Sequence, residues 1–170
     1  MTNVKAAKTK TQIADGELPI SDNIWIFQAN PNRYDIINAL ADQEVGIDIH
    51  WEVNQYKTEI ANDDIGIIWL SGREAGIYAI TRILTNPGIM EESEAEKKYW
   101  TDTADKEGER LRVKMRIVKN LPYKPLIKET IRNIEGLRNM SILKQPRGTN
   151  FRVKTDEWNI IKGLLQENRE

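Results

Sequence analysis

Two tryptophans in this sequence stand next to polar side chains in a way that suits a pocket for a flat ligand. Trp51 opens a segment of polar and aromatic residues, and Trp69 ends an apolar run just before Ser71. If both indole rings face one cavity, they could stack on an extruded nucleobase, an interaction worth roughly 1–3 kcal/mol per base. The spacing alone leaves open the alternative that both indoles are packed in the core. Side chains that could contact the edge of a base lie in or beside the same turns: Asn30, Asn54, Gln55 and Ser71.

Residues 109–119 alternate between apolar and basic side chains, which is typical of a strand with one buried face. The cations that fall on the opposite face are Arg110, Arg112, Lys114 and Arg116. Such a row could bind phosphates, and each lost contact should then flatten the log–log salt dependence of binding by about 0.7–0.9. The pattern fits equally well with a solvated strand face or with a charged edge that discourages aggregation.

A second basic cluster surrounds the turn at residues 145–150 and consists of Lys144, Arg147, Arg152 and Lys154. The whole chain has 25 basic and 26 acidic residues and a formal net charge of -1. Net charge therefore does not predict a nucleic-acid partner, and the argument depends on where the charges lie.

The composition offers little for catalysis. There is no cysteine and one histidine, His50, which excludes disulfides, cysteine nucleophiles and zinc sites built on cysteine. The spacing of Lys57 and Glu59 is common in surface segments, so it is a weak sign of acid–base chemistry. We predict no enzyme activity, no cofactor and no metal. The most acidic segment is interpreted as a solvated stretch: Glu91, Glu92, Glu94 and Glu96.

The apolar pattern predicts short strands and short helices in one domain. Predicted strands are residues 24–29, 46–51, 65–70, 77–84 and 109–119, with 65–70 and 77–84 as a hairpin. Predicted helices lie at about 34–40 and 126–134, and a last helix is capped by Thr155. Residues 89–108 are predicted to form a long polar connection anchored by Tyr99 and Trp100. We expect a polar lead-in at residues 1–21, poorly packed on a domain of residues 22–168.

These elements predict a mixed α/β (α+β) fold, namely a small, partly open β-barrel flanked by short helices. A parallel α/β fold is disfavoured because long crossover helices between the early strands are missing. No apolar run approaches the length that spans a bilayer, so we predict no membrane partner. The first 19 residues lack the apolar centre of a secretory signal, and the absence of cysteine suits a reducing cytoplasm.

Four segments of the chain, in the same order, resemble the EVE domain family. They are WIFQANPNRY at 25–34, WEVNQYKTEI at 51–60, GIIWLSGREAGIYAITRI at 66–83 and QPRGTNFRVKTDEW at 145–158. One motif alone would be a weak match, whereas four in order cover nearly the whole chain from Trp25 to Trp158. The resemblance implies a PUA-like fold, a small β-barrel with flanking helices that is related to YTH and ASCH domains.

The resemblance also implies nucleic-acid binding through an aromatic pocket that accepts an extruded base. Members of the family are associated with modified cytosines in DNA, such as 5-methylcytosine, and some of them with restriction or defence proteins. Asn30 and Pro31 stand where another branch of the family has Ser-Glu-Pro, and the turn at 148–151 resembles a structural element that packs the last helix. The positions that match the family's pocket are Trp51, Asn54, Gln55 and Tyr56 on one wall and Trp69 and Ser71 on the other.

From the residues and the resemblance together, we predict a non-catalytic reader of a modified base, a cytosine derivative in DNA, whose phosphates contact the basic strand at 110–116. Two alternatives remain. One is an RNA-binding module, which would contact a 2′-hydroxyl group. The other is a small ASCH-like amidohydrolase acting on modified nucleosides, for which Lys57 and Glu59 would have to point into the pocket.

Overall fold

The computed structural model describes residues 18–42, 45–101 and 109–167, which form short strands and short helices. The strands are β1 (Ile24–Ala29), β2 (Asp48–Glu52), β3 (Ile65–Leu70), β4 (Gly76–Ile83), β5 (Gly88–Met90), β6 (Arg110–Asn120), β7 (Leu126–Ile127) and β8 (Asn150–Val153). The α-helices are α1 (Ile36–Asp42), α2 (Glu94–Lys97), α3 (Lys128–Arg132), α4 (Ser141–Lys144) and α5 (Thr155–Glu167), with a 3₁₀ turn at Glu135–Leu137.

The strands form one sheet in the order β2-β6-β4-β3-β1-β8, with β5 paired to β6 and β7 paired to β4. Strands β1 and β3 are parallel, with Trp25 opposite Gly66, and the other pairs are antiparallel. Because β2 and β8 remain at the two ends of this order, the sheet is a curled half-barrel. The predicted mixed α/β class and the partly open barrel are confirmed.

Each face of the sheet carries its own core because side chains alternate along each strand. Ile65, Ile67 and Trp69 of β3 face the first core, which α5 covers with Trp158 and Leu165. The second core lies on the other face and includes Ile68 and Leu70 of β3, together with the α1 residues Ile36, Ala39 and Leu40. Strand β3 is therefore buried on both faces, as its unbroken apolar sequence predicts.

The structure corrects three predicted boundaries. Residues 1–17 of the predicted lead-in lie outside the described residues, but Leu18 is already buried in the first core. Leu126 and Ile127 pair with β4 as strand β7, so the helix predicted at 126–134 begins later, at Lys128. The predicted connection at 89–108 contains β5 and α2 in its described part, because residues 88–90 pair with the start of β6. Among the helices described, none is long and apolar enough to cross a membrane.

Candidate functional site

A cavity of about 450 Å³ opens where several chain segments from distant parts of the sequence meet. Its size falls within the usual range of small-molecule pockets, roughly 300–1,000 Å³. The end of β1, strand β2, the start of β6 and the turn that precedes β8 all contribute lining residues. The polar uncharged side chains among them are Gln28, Asn30, Ser71 and Thr149.

Three aromatic side chains form one wall of this cavity. Tyr34 is buried, and its ring centroid lies 5.7 Å from that of Trp51 and 5.2 Å from that of Trp100. Both indoles meet the Tyr34 ring edge to face, at interplanar angles of 81° and 72°, which is a favoured aromatic geometry. Because Trp51 and Trp100 are only half-buried, part of each ring remains available to a ligand. Burial and the nearby Glu96 and Glu92 raise the pKa of Tyr34 well above its usual range, so its hydroxyl stays neutral.

A buried carboxylate, Glu92, lies beside the aromatic wall. Its Oε1 accepts hydrogen bonds from Trp100 Nε1 at 2.8 Å and from Arg112 Nη2 at 3.3 Å. Arg112 is itself buried and donates through Nη1 to the carbonyl oxygen of Met90 at 2.6 Å. Burial is the main cause that raises the pKa of Glu92, although the hydrogen bond from Trp100 and the charge of Arg112 act in the opposite direction.

His50, the one histidine of the chain, also lines the cavity, and the buried carboxylate of Glu96 holds its ring. Its Nδ1 lies 2.7 Å from Oε1 of the buried Glu96, and its backbone N–H donates to Oε2 of the same carboxylate at 3.1 Å. Ser93 Oγ donates to Glu96 Oε1 as well, at 3.1 Å. This arrangement fixes the orientation of His50 and connects β2 to α2.

The turn at 146–149 contributes Pro146, Gly148 and Thr149 to the cavity lining and is held by three amide side chains. Gln28 Nε2 donates to the carbonyl oxygens of Pro146 and Gly148, at 3.0 and 2.7 Å. Gln55 Oε1 accepts from the backbone N–H groups of Thr149 and Asn150, both at 2.9 Å, and Asn54 Nδ2 donates to Thr149 Oγ1 at 2.7 Å. The turn is therefore positioned before any ligand binds.

The sequence-predicted pocket residues fall into three groups. Trp51, Asn30 and Ser71 line the cavity together. Asn54 and Gln55 lie outside the lining and hold the turn instead, since their amide groups are engaged by its backbone and by Thr149. The remaining predicted residues, Tyr56 and Trp69, lie elsewhere.

Trp69 is a core residue, which corrects its predicted place as the second wall of the pocket. Only 2% of its surface is exposed, and it packs in the first core on the same face of β3 as Ile67. Its neighbours Ile68 and Leu70 face the second core, on whose side Trp51 packs. The alternation of side chains along β3 thus places Trp69 on the other face of the sheet from Trp51. The second tryptophan that lines the cavity is Trp100.

Tyr56 contributes to a different aromatic contact. Its ring centroid lies 4.9 Å from that of Trp25, and the guanidinium of Arg152 lies 4.4 Å from the Trp25 ring and 5.8 Å from the Tyr56 ring. The backbone of Tyr56 has a positive φ of 55°. Arg152 lies opposite Trp25 in the β1–β8 pairing, is exposed, and does not belong to the cavity lining.

The basic strand β6 does not present a row of exposed cations. Strand β2 pairs with it and brings carboxylates within ion-pair distance of the cations: Arg110 Nη1 lies 2.7 Å from Glu52 Oε1. Arg116 Nε lies 2.8 Å from Asp48 Oδ1, and Lys114 Nζ lies 3.7 Å from the other oxygen of the same group. Arg112 is buried beside Glu92, which corrects the expectation that all four cations form one row accessible to phosphates.

For several residues that line the cavity, the sequence did not predict a place in the site. Trp100 was expected only to anchor a connection and Tyr34 only to begin a helix, and Gly148 and Thr149 of the turn assigned a structural role also line the cavity. Phe151 of that turn does pack in the first core with Trp158 of the last helix. The acidic stretch is not uniformly solvated, since Glu92 and Glu96 are buried whereas Glu91 and Glu94 are exposed. Nothing in the local sequence distinguishes these two pairs.

The residues named for the hydrolase alternative do not meet in the cavity. Lys57 and Glu59 are both exposed, and neither belongs to the cavity lining. Within the described ranges, no three histidine, aspartate or glutamate side chains are arranged to hold a metal ion.

The chain belongs to the EVE domain family: the family model matches residues 23–164. Three solved structures share the fold. A hypothetical protein from Leishmania major is 17% identical with a TM-score of 0.61, over 88% of this chain and 98% of that one. Rpa0253 from Rhodopseudomonas palustris is 16% identical with a TM-score of 0.59, over 87% and 96%. Human THYN1, in complex with DNA that contains 5-methylcytosine, is 13% identical with a TM-score of 0.59, over 87% and 99%. No match to a curated protein was found.

Proposed function

We propose that this domain binds nucleic acid and holds one extruded base, a modified cytosine in DNA, in the cavity beside Trp51. The observation that carries the proposal is the cavity itself, whose lining combines an aromatic wall with side chains that can contact a base edge. A base must leave its stack before an enclosed site can contact all its edges. The cavity therefore suits a single base better than a duplex.

One structural neighbour supports the same class of ligand. Human THYN1 shares this fold and was solved with DNA containing 5-methylcytosine. At 13% identity THYN1 shares the fold of this chain, and the ligand of the present chain is inferred from its own cavity. Non-catalytic binding is sufficient for this role, since the aromatic wall and polar groups need no nucleophile.

We further propose that the phosphates lie along the second basic cluster rather than along β6. Lys144 and Arg147 are exposed and flank Pro146, which lines the cavity. Neither makes an ion pair with any described residue, whereas Arg110, Lys114 and Arg116 each have a carboxylate partner. Positive charge that is not neutralised, next to the cavity, is the better phosphate site.

The double variant Lys144→Ala, Arg147→Ala is expected to weaken binding to a similar extent for modified and unmodified oligonucleotides. Each lost phosphate contact should also reduce the slope of log K against log salt concentration by about 0.7–0.9. The matched control is Lys114→Ala, Arg116→Ala, which should change the slope less because Asp48 already neutralises part of that charge. Equal salt slopes for the first variant and the parent, with a flatter slope for the control, would place the phosphates on β6 after all.

A binding panel tests the proposed function directly. The oligonucleotides should be identical except at one position, which carries cytosine, 5-methylcytosine or an abasic site, as DNA and as RNA, single-stranded and double-stranded. We expect tighter binding of the modified-cytosine DNA than of the abasic DNA, because only the former can fill the cavity. Preference for the RNA series would assign the domain to RNA, and binding to no member of the panel would reject the proposed function.

A further inference from the structure

The two oxygens of the Glu92 carboxyl group differ in their hydrogen bonds. Only 8% of the residue is exposed, and it lines the cavity. Both of its side-chain hydrogen bonds, from Trp100 and Arg112, go to Oε1. Oε2 accepts no hydrogen bond from any described residue, and protein atoms do not enclose it completely. The cavity lining therefore includes a largely desolvated carboxyl group, one oxygen of which is not engaged by any described residue.

The other carboxylates near this cavity are placed differently. Glu96 uses both oxygens, one toward His50 Nδ1 and Ser93 Oγ and the other toward the backbone of His50. Glu52 lines the cavity but is more exposed, at 22% for its side chain, and is paired with Arg110 at 2.7 Å. An acceptor discriminates between ligands more strongly where water cannot replace a lost hydrogen bond. Glu92 meets this condition better than Glu52.

The chemistry of a carboxyl group at this place distinguishes pyrimidines by the group at C4. Cytosine carries an amino group there, a donor that glutamate accepts. Thymine and uracil carry a carbonyl oxygen at the same position, which would face Oε2 as one acceptor against another. The hydrogen bond from Trp100 and the charge of Arg112 oppose the rise in the pKa of Glu92 that burial causes, and the ionised carboxylate is the form that accepts from the amino group.

Taking the proposed function as the starting point, we propose that Glu92 is the specificity-determining residue of the cavity and selects a pyrimidine with an amino group at C4 over one with a carbonyl group. Trp100 and Arg112 position its carboxyl group through Oε1, which leaves Oε2 to contact the base. The aromatic wall binds either kind of pyrimidine, because stacking depends on the ring face and not on its substituents.

The most closely matched ligands are 5-methylcytosine and thymine, which share the methyl group and differ at C4 and in the proton on N3. With the parent protein, oligonucleotides carrying one or the other at a single position should differ in Kd by roughly 10- to 100-fold, in favour of 5-methylcytosine. In Glu92→Gln this difference should largely disappear. The glutamine oxygen can keep the hydrogen bonds from Trp100 and Arg112, so that its NH₂ group faces the base and donates well to a carbonyl.

Two control variants separate this role from general effects of charge. Glu91→Gln makes the same change at an exposed neighbour, and Glu52→Gln makes it at the other carboxylate that lines the cavity. Glu91→Gln should keep the preference for 5-methylcytosine, whereas Glu52→Gln tests the competing assignment to the other carboxylate of the cavity. Thermal unfolding should confirm that each variant is folded. If Glu52→Gln loses the preference and Glu92→Gln keeps it, the assignment to Glu92 is wrong.

A ligand-side experiment keeps the test decisive even if Glu92→Gln does not fold. Replacing 5-methylcytosine by 5-methyl-2-pyrimidinone removes the amino group without adding a carbonyl, and the parent protein should bind it roughly 10- to 100-fold more weakly. Equal binding of this base, or equal binding of 5-methylcytosine and thymine by the parent, would overturn the role of Glu92 while leaving the proposed function intact. Failure of the parent to bind any of these oligonucleotides would instead reject the proposed function.

Discussion

Replacing Trp69 with alanine is expected to lower the free energy of unfolding by about 3–5 kcal/mol, the cost of emptying a buried aromatic site. Trp69 is 2% exposed and packs in the first core, between strands β1 and β4 that flank β3. Chemical denaturation followed by far-UV circular dichroism measures the effect. Because Trp69 does not line the cavity, the protein that remains folded should bind the target oligonucleotide as the parent does.

The comparison with Trp51→Ala makes this prediction informative about the site as well as the fold. Trp51 is half-buried and packs only at the margin of the second core, so its loss should cost less stability. The two variants should therefore show different defects. Trp69→Ala should lose mainly stability, and Trp51→Ala should lose mainly binding affinity. A stable Trp69→Ala protein that no longer binds would mean that the indole of Trp69 contacts the base and that the core assignment is wrong.

The fold could be predicted where the local pattern and the tertiary environment agree. Strand β3 is apolar throughout because it is buried on both faces, and strand β6 alternates because one of its faces carries charge. The pairing of β1 with β3 in parallel was not predictable in this way, because side-chain alternation does not depend on strand direction. The start of α3 at Lys128 was not predictable either, because Leu126 and Ile127 pair with β4, and this pairing leaves no mark in the local sequence.

The site was predictable only in part, because its walls come from segments far apart in the sequence. Trp51 and Trp69 looked equivalent as single residues, and only the position of each in its strand decides which one reaches the cavity. Trp100 lies in a segment with no regular pattern, so no periodic signal pointed to it. Its place depends on a tertiary hydrogen bond to Glu92.

Charged and amide side chains were the least reliable guide from the sequence to the site. The alternation of β6 correctly placed Arg112 on the polar face of the strand, but it could not reveal that β5 and Glu92 would bury that face locally. Likewise, Asn54 and Gln55 have the right groups to contact a base, yet the structure uses those groups to hold the turn at 146–149. Amide side chains satisfy buried backbone groups as readily as they bind ligands, and the sequence does not separate the two uses.

Replacing Trp51 with alanine is expected to weaken binding of the target oligonucleotide by roughly 1–3 kcal/mol, or about 5- to 150-fold in Kd, through the loss of base stacking. The ring of Trp51 is held edge to face against Tyr34 and lines the cavity, so the parent protein presents a stacking surface that is already in place. Fluorescence anisotropy at several salt concentrations measures both the affinity and its salt dependence. The salt slope should not change, because the phosphate contacts proposed at Lys144 and Arg147 remain.

An oligonucleotide with an abasic site at the target position provides the control for stacking. It has no ring to stack, so the parent and Trp51→Ala should bind it with similar affinity, while Trp51→Phe should retain much of the binding to the base-containing strand. Thermal unfolding of each variant separates a binding defect from a folding defect. If a folded Trp51→Ala protein binds the base-containing strand as tightly as the parent does, the base does not stack on Trp51, and the cavity is not the site where this domain holds it.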